Sequence, residues 1–136
     1  MNRAEDTRRC IDDVLAEARS QLDRVDPTAL RAEQDRGALI IDIRPVDHRE
    51  RDGALPGAVI IERNVLEWRL DPASAHHIIE VDDYDTRIVI VCNEGYQSSL
   101  AAAQLRALGL HKATDMTGGY QAWISTEHVP IVDRTD

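Results

Sequence analysis

A run of four β-branched residues, Ile88-Val89-Ile90-Val91, constrains the fold of this chain more than any other feature. Such an uninterrupted apolar run is typical of a strand that is buried on both faces, as in parallel sheets. Cys92 follows at once, and the helix formers after the Ser98–Ser99 pair predict a helix that this pair caps and that ends at Gly109. The pattern therefore predicts a strand, a short polar loop and a helix, with a cysteine at the carboxyl end of the strand.

Apolar and helical segments alternate along the rest of the chain. Further strands are predicted at residues 38–43, 58–61 and 113–116, and helices at residues 6–22, 27–34, 65–70, 73–79 and 120–124. Apolar strands that alternate with helices indicate a parallel sheet covered on both faces. We therefore expect an α/β fold with three layers, about five mainly parallel strands, and an extra N-terminal helix. This organisation divides the chain into an N-terminal helical extension, residues 1–21, and a domain spanning residues 22–136.

Length and charge exclude several classes of protein. The chain has 136 residues, enough for one domain with a substantial core, and a net charge of −9. An acidic surface argues against nucleic acid or an anionic membrane as a partner. Two cysteines form no disulfide framework, and no metal-type Cys/His spacing occurs. Without a signal-like apolar core or a membrane-length apolar stretch, we expect a cytoplasmic protein.

The loop after Cys92 has the composition of an anion-binding site. In open parallel sheets, ligands bind beyond the carboxyl ends of the strands, where both Asp42 and Cys92 are expected. Gly95 permits a tight curve in which backbone N–H groups point inward and stabilise a thiolate or a bound anion. A cysteine here can also be an inert packing residue. The polar residues of the loop favour a functional cysteine.

Three motifs make a family resemblance specific. The loop at residues 92–98 resembles the active-site loop of rhodanese-like sulfurtransferase domains. Residues 41–44 and 53–58 resemble the Asp-x-Arg strand end and the Gly-His-Ile-Pro-Gly-Ala turn of that family, although Ala54 replaces the histidine. Residues 117–123 are similar to its closing Gly-Gly-x-x-x-Trp motif. The resemblance covers about residues 22–130.

The resemblance implies a sulfane-sulfur relay through a persulfide on Cys92. Donors would be thiosulfate or other small sulfur-containing anions or persulfides, and acceptors would be cyanide or a thiol, including a thiol protein. The persulfide-binding loop would consist of Asn93, Glu94, Gly95, Tyr96, Gln97 and Ser98. Neither a metal nor an organic cofactor is called for.

The loop departs from the family pattern in its charge. Many members carry Arg where Gln97 stands, and Glu94 adds a negative charge. Both changes weaken the attraction for a dianion, so we expect poor use of thiosulfate and a preference for neutral or protein-borne persulfides. Candidates for the missing cations are Arg44, Arg49 and Arg69, whereas Arg63 reads as a solvated surface charge. Asp42 and Arg44 can equally form a structural ion pair that supports the loop.

Two other functions compete with sulfur transfer. A phosphatase with a related fold needs an Arg in the loop, and none occurs between Cys92 and Arg106. A non-catalytic binding or redox-sensing module would keep the fold and the thiol. Cys10 would then be a resolving thiol, although a half-buried helix position explains it more simply.

Overall fold

The protein folds around a four-stranded parallel sheet in the order β2-β1-β3-β4. The computed structural model describes residues 7–133 of the backbone, and side chains as far as residue 126. The strands are β1 (Leu39–Asp42), β2 (Val59–Ile60), β3 (Ile88–Val91) and β4 (Ala113–Asp115). Asp42 at the end of β1 pairs in register with Val91 at the end of β3. The carboxyl ends of the two central strands therefore meet at one edge of the sheet.

Helices cover both faces of this sheet. They are α1 (Ile11–Ser20), α2 (Leu30–Asp35), α3 (Val46–Asp52), α4 (Leu66–Leu70), α5 (Gln97–Ala107) and α6 (Gly119–Asp133), with 3-10 turns at Pro27–Ala29 and Arg63–Val65. Successive residues of β3 point to opposite faces, so Ile90 lies in one apolar cluster and Val91 in the other. The predicted three-layer α/β fold is confirmed.

The sheet has four strands where about five were expected. The fifth position is occupied by a single parallel bridge between Val25 and Met116 at the edge beside β4. Pro27, two residues after Val25, has no N–H to donate and opens a 3-10 turn. The extended segment therefore ends before a full strand can form.

The N-terminal helix α1 packs against α5 of the same chain. Its Leu15 and Ala18 are buried, whereas Ile11, on the same predicted stripe, is exposed. The helix is shorter than predicted, because residues 7–10 are not helical; Asp6, where the prediction began, lies outside the described residues. The charged last turn of α1 consequently lies near the start of α5.

The helix predicted at residues 73–79 does not form. The segment folds as a series of turns, in which the Asp71 carboxylate accepts from the Ala73 N–H and the Ser74 hydroxyl accepts from the His76 N–H. Short polar side chains that bond nearby backbone groups compete with helical hydrogen bonds, which explains the difference. Within the described part of the chain, no helix is long and apolar enough to cross a membrane.

Candidate active site

Cys92 is buried at the end of β3, inside a loop whose N–H groups face its sulfur. Its side chain is 7% exposed. The Sγ atom accepts from the Gly95 N–H at 3.1 Å and from the Ser98 N–H at 3.3 Å. Gly95 has a φ of +89°, and a Cβ there would lie 2.7 Å from the backbone nitrogen of Gly118. The turn around the sulfur therefore requires glycine, and both of these donors stabilise negative charge on sulfur.

The start of α6 supports this loop from one side. The Tyr120 N–H donates to the Cys92 carbonyl at 2.8 Å, and the Gln121 N–H donates to the Asn93 carbonyl at 3.1 Å. A Cβ on Gly119 would lie 2.6 Å from the carbonyl groups of Cys92 and Asn93, so a side chain at this position would displace the loop. The Gly-Gly turn thus brings the helix N-terminus against the backbone of the cysteine loop.

A cavity of about 380 Å³ opens over the loop. Its charged and titratable lining groups besides Cys92 are Arg44, His48, Arg63 and Glu94, and its rim includes Tyr96 and Gln97, both exposed. Asn93, Glu94, Tyr96 and Gln97 of the predicted loop line the cavity, whereas Gly95 and Ser98 contact the sulfur through their backbones. The cavity is large enough for a small sulfur compound.

Asp42 and Arg44 form a buried ion pair beside the cavity. The Arg44 Nη2 donates to Asp42 Oδ2 at 2.7 Å and to the Gly53 carbonyl at 2.9 Å, and the guanidinium lies 3.8 Å from the centre of the Tyr120 ring. The side chains are 0% and 1% exposed. Arg44 thus ties the end of β1 to the following turn, and it also contributes to the cavity wall.

Two buried nitrogen atoms of the cavity-lining residues lack a hydrogen-bond partner among the described residues. They are Nη1 of Arg44 and Nδ1 of His48. Buried polar atoms are rarely left unpaired, because each costs free energy unless a ligand or water satisfies it. Both atoms are shielded from solvent, so a substrate in the cavity reaches them only if these side chains move.

Arg63 was interpreted as a solvated surface charge, but in the structure it lines the cavity. Its Nε donates to Oε1 of Gln97 at 3.0 Å, and its Nη1 pairs with Glu67 at 2.9 Å. Arg63 follows β2 at the carboxyl edge of the sheet, where ligand-binding residues are expected. The position of Arg63 just after a predicted strand was visible in the sequence. It indicates a site residue only when β2 is known to lie beside β1 in the sheet.

Arg49 and Arg69 lie elsewhere. Arg49 reaches Glu62 at 3.4 Å, and Arg69 donates to the His76 carbonyl at 2.7 Å. Neither is among the described residues that line the cavity around Cys92. The cations brought to the cavity are Arg44 and Arg63.

The Ser98–Ser99 pair does not cap α5 as predicted. The helix begins at Gln97, and its N-cap residue, Tyr96, makes no side-chain cap. Both serine hydroxyls instead donate to Oδ2 of Asp115 at 2.7 Å. Asp115 is fully buried at the end of β4 and was missed, because its partners are distant in sequence. This carboxylate anchors the first turn of α5 beneath the cysteine loop.

Cys10 is exposed and precedes the first residue of α1. It is not the half-buried helix residue that the periodicity predicted. Among the described residues, no group of three or more His, Cys, Asp or Glu side chains is arranged to hold a metal ion.

Comparison with known proteins defines the family. The sequence signature of the Rhodanese-like domain matches residues 26–126, which covers most of the chain. The chain belongs to the rhodanese-like domain family. Relatives include the thiosulfate sulfurtransferase GlpE of Pseudomonas fluorescens strain Pf0-1, which is 32% identical over 107 residues, 79% of this chain and 89% of the relative. The GlpE protein of Pseudomonas entomophila is 33% identical over 110 residues, again 79% and 89%.

Solved structures agree with this assignment. A protein of unknown function from Rhodopseudomonas palustris, called a possible tyrosine phosphatase, has a TM-score of 0.78 and 31% identity, covering 89% of this chain and 93% of its own. The human single-domain sulfurtransferase TSTD1 has a TM-score of 0.65 and 28% identity, covering 76% and 96%. These comparisons support sulfurtransferase activity in general.

Proposed function

We propose that this protein is a sulfurtransferase that carries a sulfane sulfur as a persulfide on Cys92. The observation that supports the proposal most is the pair of backbone N–H groups, from Gly95 and Ser98, that face the Cys92 sulfur. Groups fixed in this way stabilise a charged sulfur without reorganising during the reaction. The family and its named sulfurtransferases provide the second line of support.

The reaction takes two displacement steps. The Cys92 thiolate attacks the outer sulfur of the donor, a new S–S bond forms, and the donor's S–S bond breaks. The leaving group, sulfite from thiosulfate or a thiolate from a persulfide, takes the bonding electron pair. An acceptor thiolate or cyanide then attacks the outer sulfur of the Cys92 persulfide and releases the Cys92 thiolate. The products are a new persulfide or thiocyanate.

Charge around the cavity favours a persulfide over thiosulfate as donor. Arg44 is paired with Asp42, and Arg63 is paired with Glu67. Exposed Glu94 adds a negative charge at the cavity wall. With both cations already paired, a dianion gains less from the site than a monoanionic or neutral donor. The relatives are named for thiosulfate, so the proposed preference would set this chain apart from them.

The decisive experiment is intact-mass measurement of the reduced protein after incubation with thiosulfate or with a low-molecular-weight persulfide. We expect the persulfide to add the mass of one sulfur atom, and thiosulfate to add it more slowly. The increment should disappear on addition of cyanide and should be absent from Cys92→Ala. Cys10→Ser is the matched control, because it removes the other cysteine and should load normally.

Failure to load from both donors would leave a non-catalytic or redox-sensing module as the better explanation. Equal loading from the two donors would contradict the donor preference alone.

Hydrolysis of an aryl phosphate should be measured as well, because one structural neighbour is called a possible phosphatase. We expect none, since the loop from Cys92 to Ser98 contains no arginine to hold a phosphoryl group. The cytoplasmic location and a thiol-protein acceptor stay predictions.

A further inference from the structure

Two arginines that precede the family-matched region donate hydrogen bonds to the cysteine loop, and neither is among the described residues that line the cavity. Arg19 lies in the last turn of α1 and Arg24 in the segment that follows it. Arg19 Nη2 donates to the Gly95 carbonyl at 2.8 Å, and Arg24 Nη2 donates to the same oxygen at 3.0 Å. The family signature begins at residue 26, so both arginines precede the matched region. Arg19 lies in the N-terminal extension, residues 1–21, and Arg24 lies between that extension and residue 26.

Gly95 links these arginines to the reactive sulfur. Its carbonyl oxygen accepts from the two guanidinium groups, while its N–H donates to Cys92 Sγ at 3.1 Å. The backbone nitrogen of Gly118 packs against this residue from another side, 2.7 Å from where a Cβ would stand. Holding the carbonyl on one side therefore helps to keep the N–H directed at the sulfur on the other.

The second donor to the sulfur, the Ser98 N–H, depends on Arg24 through Asp115. Ser98 donates its N–H to Cys92 and its hydroxyl to Asp115. Arg24 pairs with Asp115 through two contacts, at 2.9 and 3.2 Å. Arg24 therefore neutralises the buried carboxylate that anchors the first turn of α5. Without that cation, Asp115 would bring an uncompensated negative charge beneath the loop.

Arg19 contributes a charge of its own. Its Nε donates to the Ser99 hydroxyl at 3.1 Å, and its guanidinium lies 5.5 Å from the centre of the Tyr96 ring. These contacts, like that with the Gly95 carbonyl, are made with neutral groups. The two arginines and Asp115 together carry a net charge of +1 next to a loop that itself contains no arginine.

We propose that Arg19 and Arg24 are positioning residues for Cys92, and that α1 and the segment after it are a functional part of the active site. They hold Gly95 so that its N–H faces the sulfur, and they supply from outside the loop the positive charge that the loop lacks. The inference rests on the proposed function, but it concerns the reactivity of the Cys92 thiolate, which can be measured without any sulfur donor.

The test is the rate of alkylation of Cys92 by iodoacetamide as a function of pH. The full chain is used with Cys10→Ser, so that Cys92 is the only thiol, and modification is followed by intact mass. We expect Arg19→Gln to slow alkylation near neutral pH by about threefold to tenfold, because one nearby cation no longer stabilises the thiolate. The pH midpoint of the reaction should move to higher pH. Arg19→Lys, which keeps the charge, should recover most of the rate.

Arg24→Lys is the second variant, chosen because it keeps a cation beside Asp115 and so protects the fold. It loses the forked guanidinium that contacts Asp115 and Gly95 together, and should also slow alkylation. The matched control is Arg9→Gln, which removes a cation from an exposed ion pair with Glu17 near the other end of α1. That control should leave the rate unchanged.

The two proposals fail in different ways. Parent-like alkylation of both Arg19→Gln and Arg24→Lys at every pH would overturn the positioning role, whatever the sulfur-loading result. A shift of equal size in Arg9→Gln would overturn it as well, because the effect would then reflect net charge alone. Slow alkylation of the variants without any persulfide on the parent protein would reject the sulfurtransferase proposal and leave the positioning role intact.

Discussion

Arg44 has both a structural role, in its buried ion pair with Asp42, and a place in the cavity wall. Removing two charges from water costs free energy, which the pair recovers through bidentate geometry and the additional bond to the Gly53 carbonyl. Arg44 also stacks on Tyr120, whose pKa is raised, chiefly by burial. The neutral phenol donates to the Asp52 carbonyl, which fixes the ring beneath the guanidinium. The alternatives of a structural ion pair and a site residue are therefore compatible.

Replacing Arg44 with Met should destabilise the protein by about 3 to 5 kcal/mol, because Asp42 would remain buried without a counter-charge. The free energy of unfolding in urea measures this loss. Arg51→Met is the matched control, since Arg51 pairs with Asp52 in an exposed setting. A loss no larger than that of the control would show that the Asp42 charge is solvated in the native protein.

Gly95 tests the steric requirement of the cysteine loop. Gly95→Ala forces a left-handed φ and places the new Cβ against the Gly118 backbone. Gly37 has a similar φ of +95° with nothing within 4 Å of a Cβ, so Gly37→Ala measures the backbone strain alone. We expect Gly95→Ala to cost about 1 to 3 kcal/mol more than Gly37→Ala in urea unfolding. Equal losses would mean that the loop moves aside without cost.

At the scale of elements, a cluster of charges joins the segment after α1 to the core. Asp23 accepts hydrogen bonds from Arg87, just before β3, and from Arg106 in the last turn of α5. Burial alone would raise the pKa of Asp23, but the hydrogen bond and charge of Arg87, with the charge of Arg106, outweigh it and lower this pKa. The cluster therefore stabilises the folded protein only when Asp23 is ionised.

The sign of the pH dependence follows from that lowered pKa. The stabilisation is complete above the unfolded-state value, about 3.9, and is lost as the pH falls through the folded-state value. Asp23→Asn should therefore reduce the free energy of unfolding at pH 7, by less than about 1 kcal/mol because Asp23 is exposed. The difference from the parent protein should shrink in acid. Exposed Asp82→Asn is the control, and a difference that grows as the pH falls would contradict the assignment.

At the scale of the molecule, the position of α1 separates the two cysteines. Cys10 precedes this helix, whereas Arg19, which contacts the cysteine loop, is in its last turn. At a rise of 1.5 Å per residue, Cys10 lies about 14 Å along the helix axis from Arg19, the residue that contacts the loop. Two cysteines cannot form a disulfide unless their Cα atoms come within about 7 Å.

Peroxide treatment should therefore produce no intramolecular disulfide between Cys10 and Cys92. We expect intact-mass spectra of the oxidised monomer to show added oxygen on Cys92, which Cys92→Ala removes. Loss of two hydrogen atoms that requires both cysteines would contradict this and would favour the redox-sensing alternative. Cys10→Ser provides the reference spectrum for oxidation of Cys92 alone.

Much of the site followed from local sequence. Apolar runs placed Asp42 and Cys92 at strand ends, and Gly95 with its polar neighbours indicated a loop of inward-facing N–H groups. Both signals are local, because burial on two faces needs an unbroken apolar run and a tight turn needs glycine. The prediction of a helix at residues 73–79 was wrong for a local reason as well. Their side chains bond neighbouring backbone groups, an option that periodicity alone does not reveal.

The amino-acid sequence was enough to predict the α/β class, the position of Cys92 after a buried strand and the lack of positive charge in its loop. Which cations lie near that loop depends on the tertiary structure. Arg63 lies near the loop because β2 lies beside β1, and Arg19 and Arg24 lie near it because α1 packs against α5. Such cations cannot be identified from sequence alone, because a long polar side chain has little intrinsic preference for one partner over another. Their partners are set by which strands and helices become neighbours, and this is fixed by burial of the apolar core.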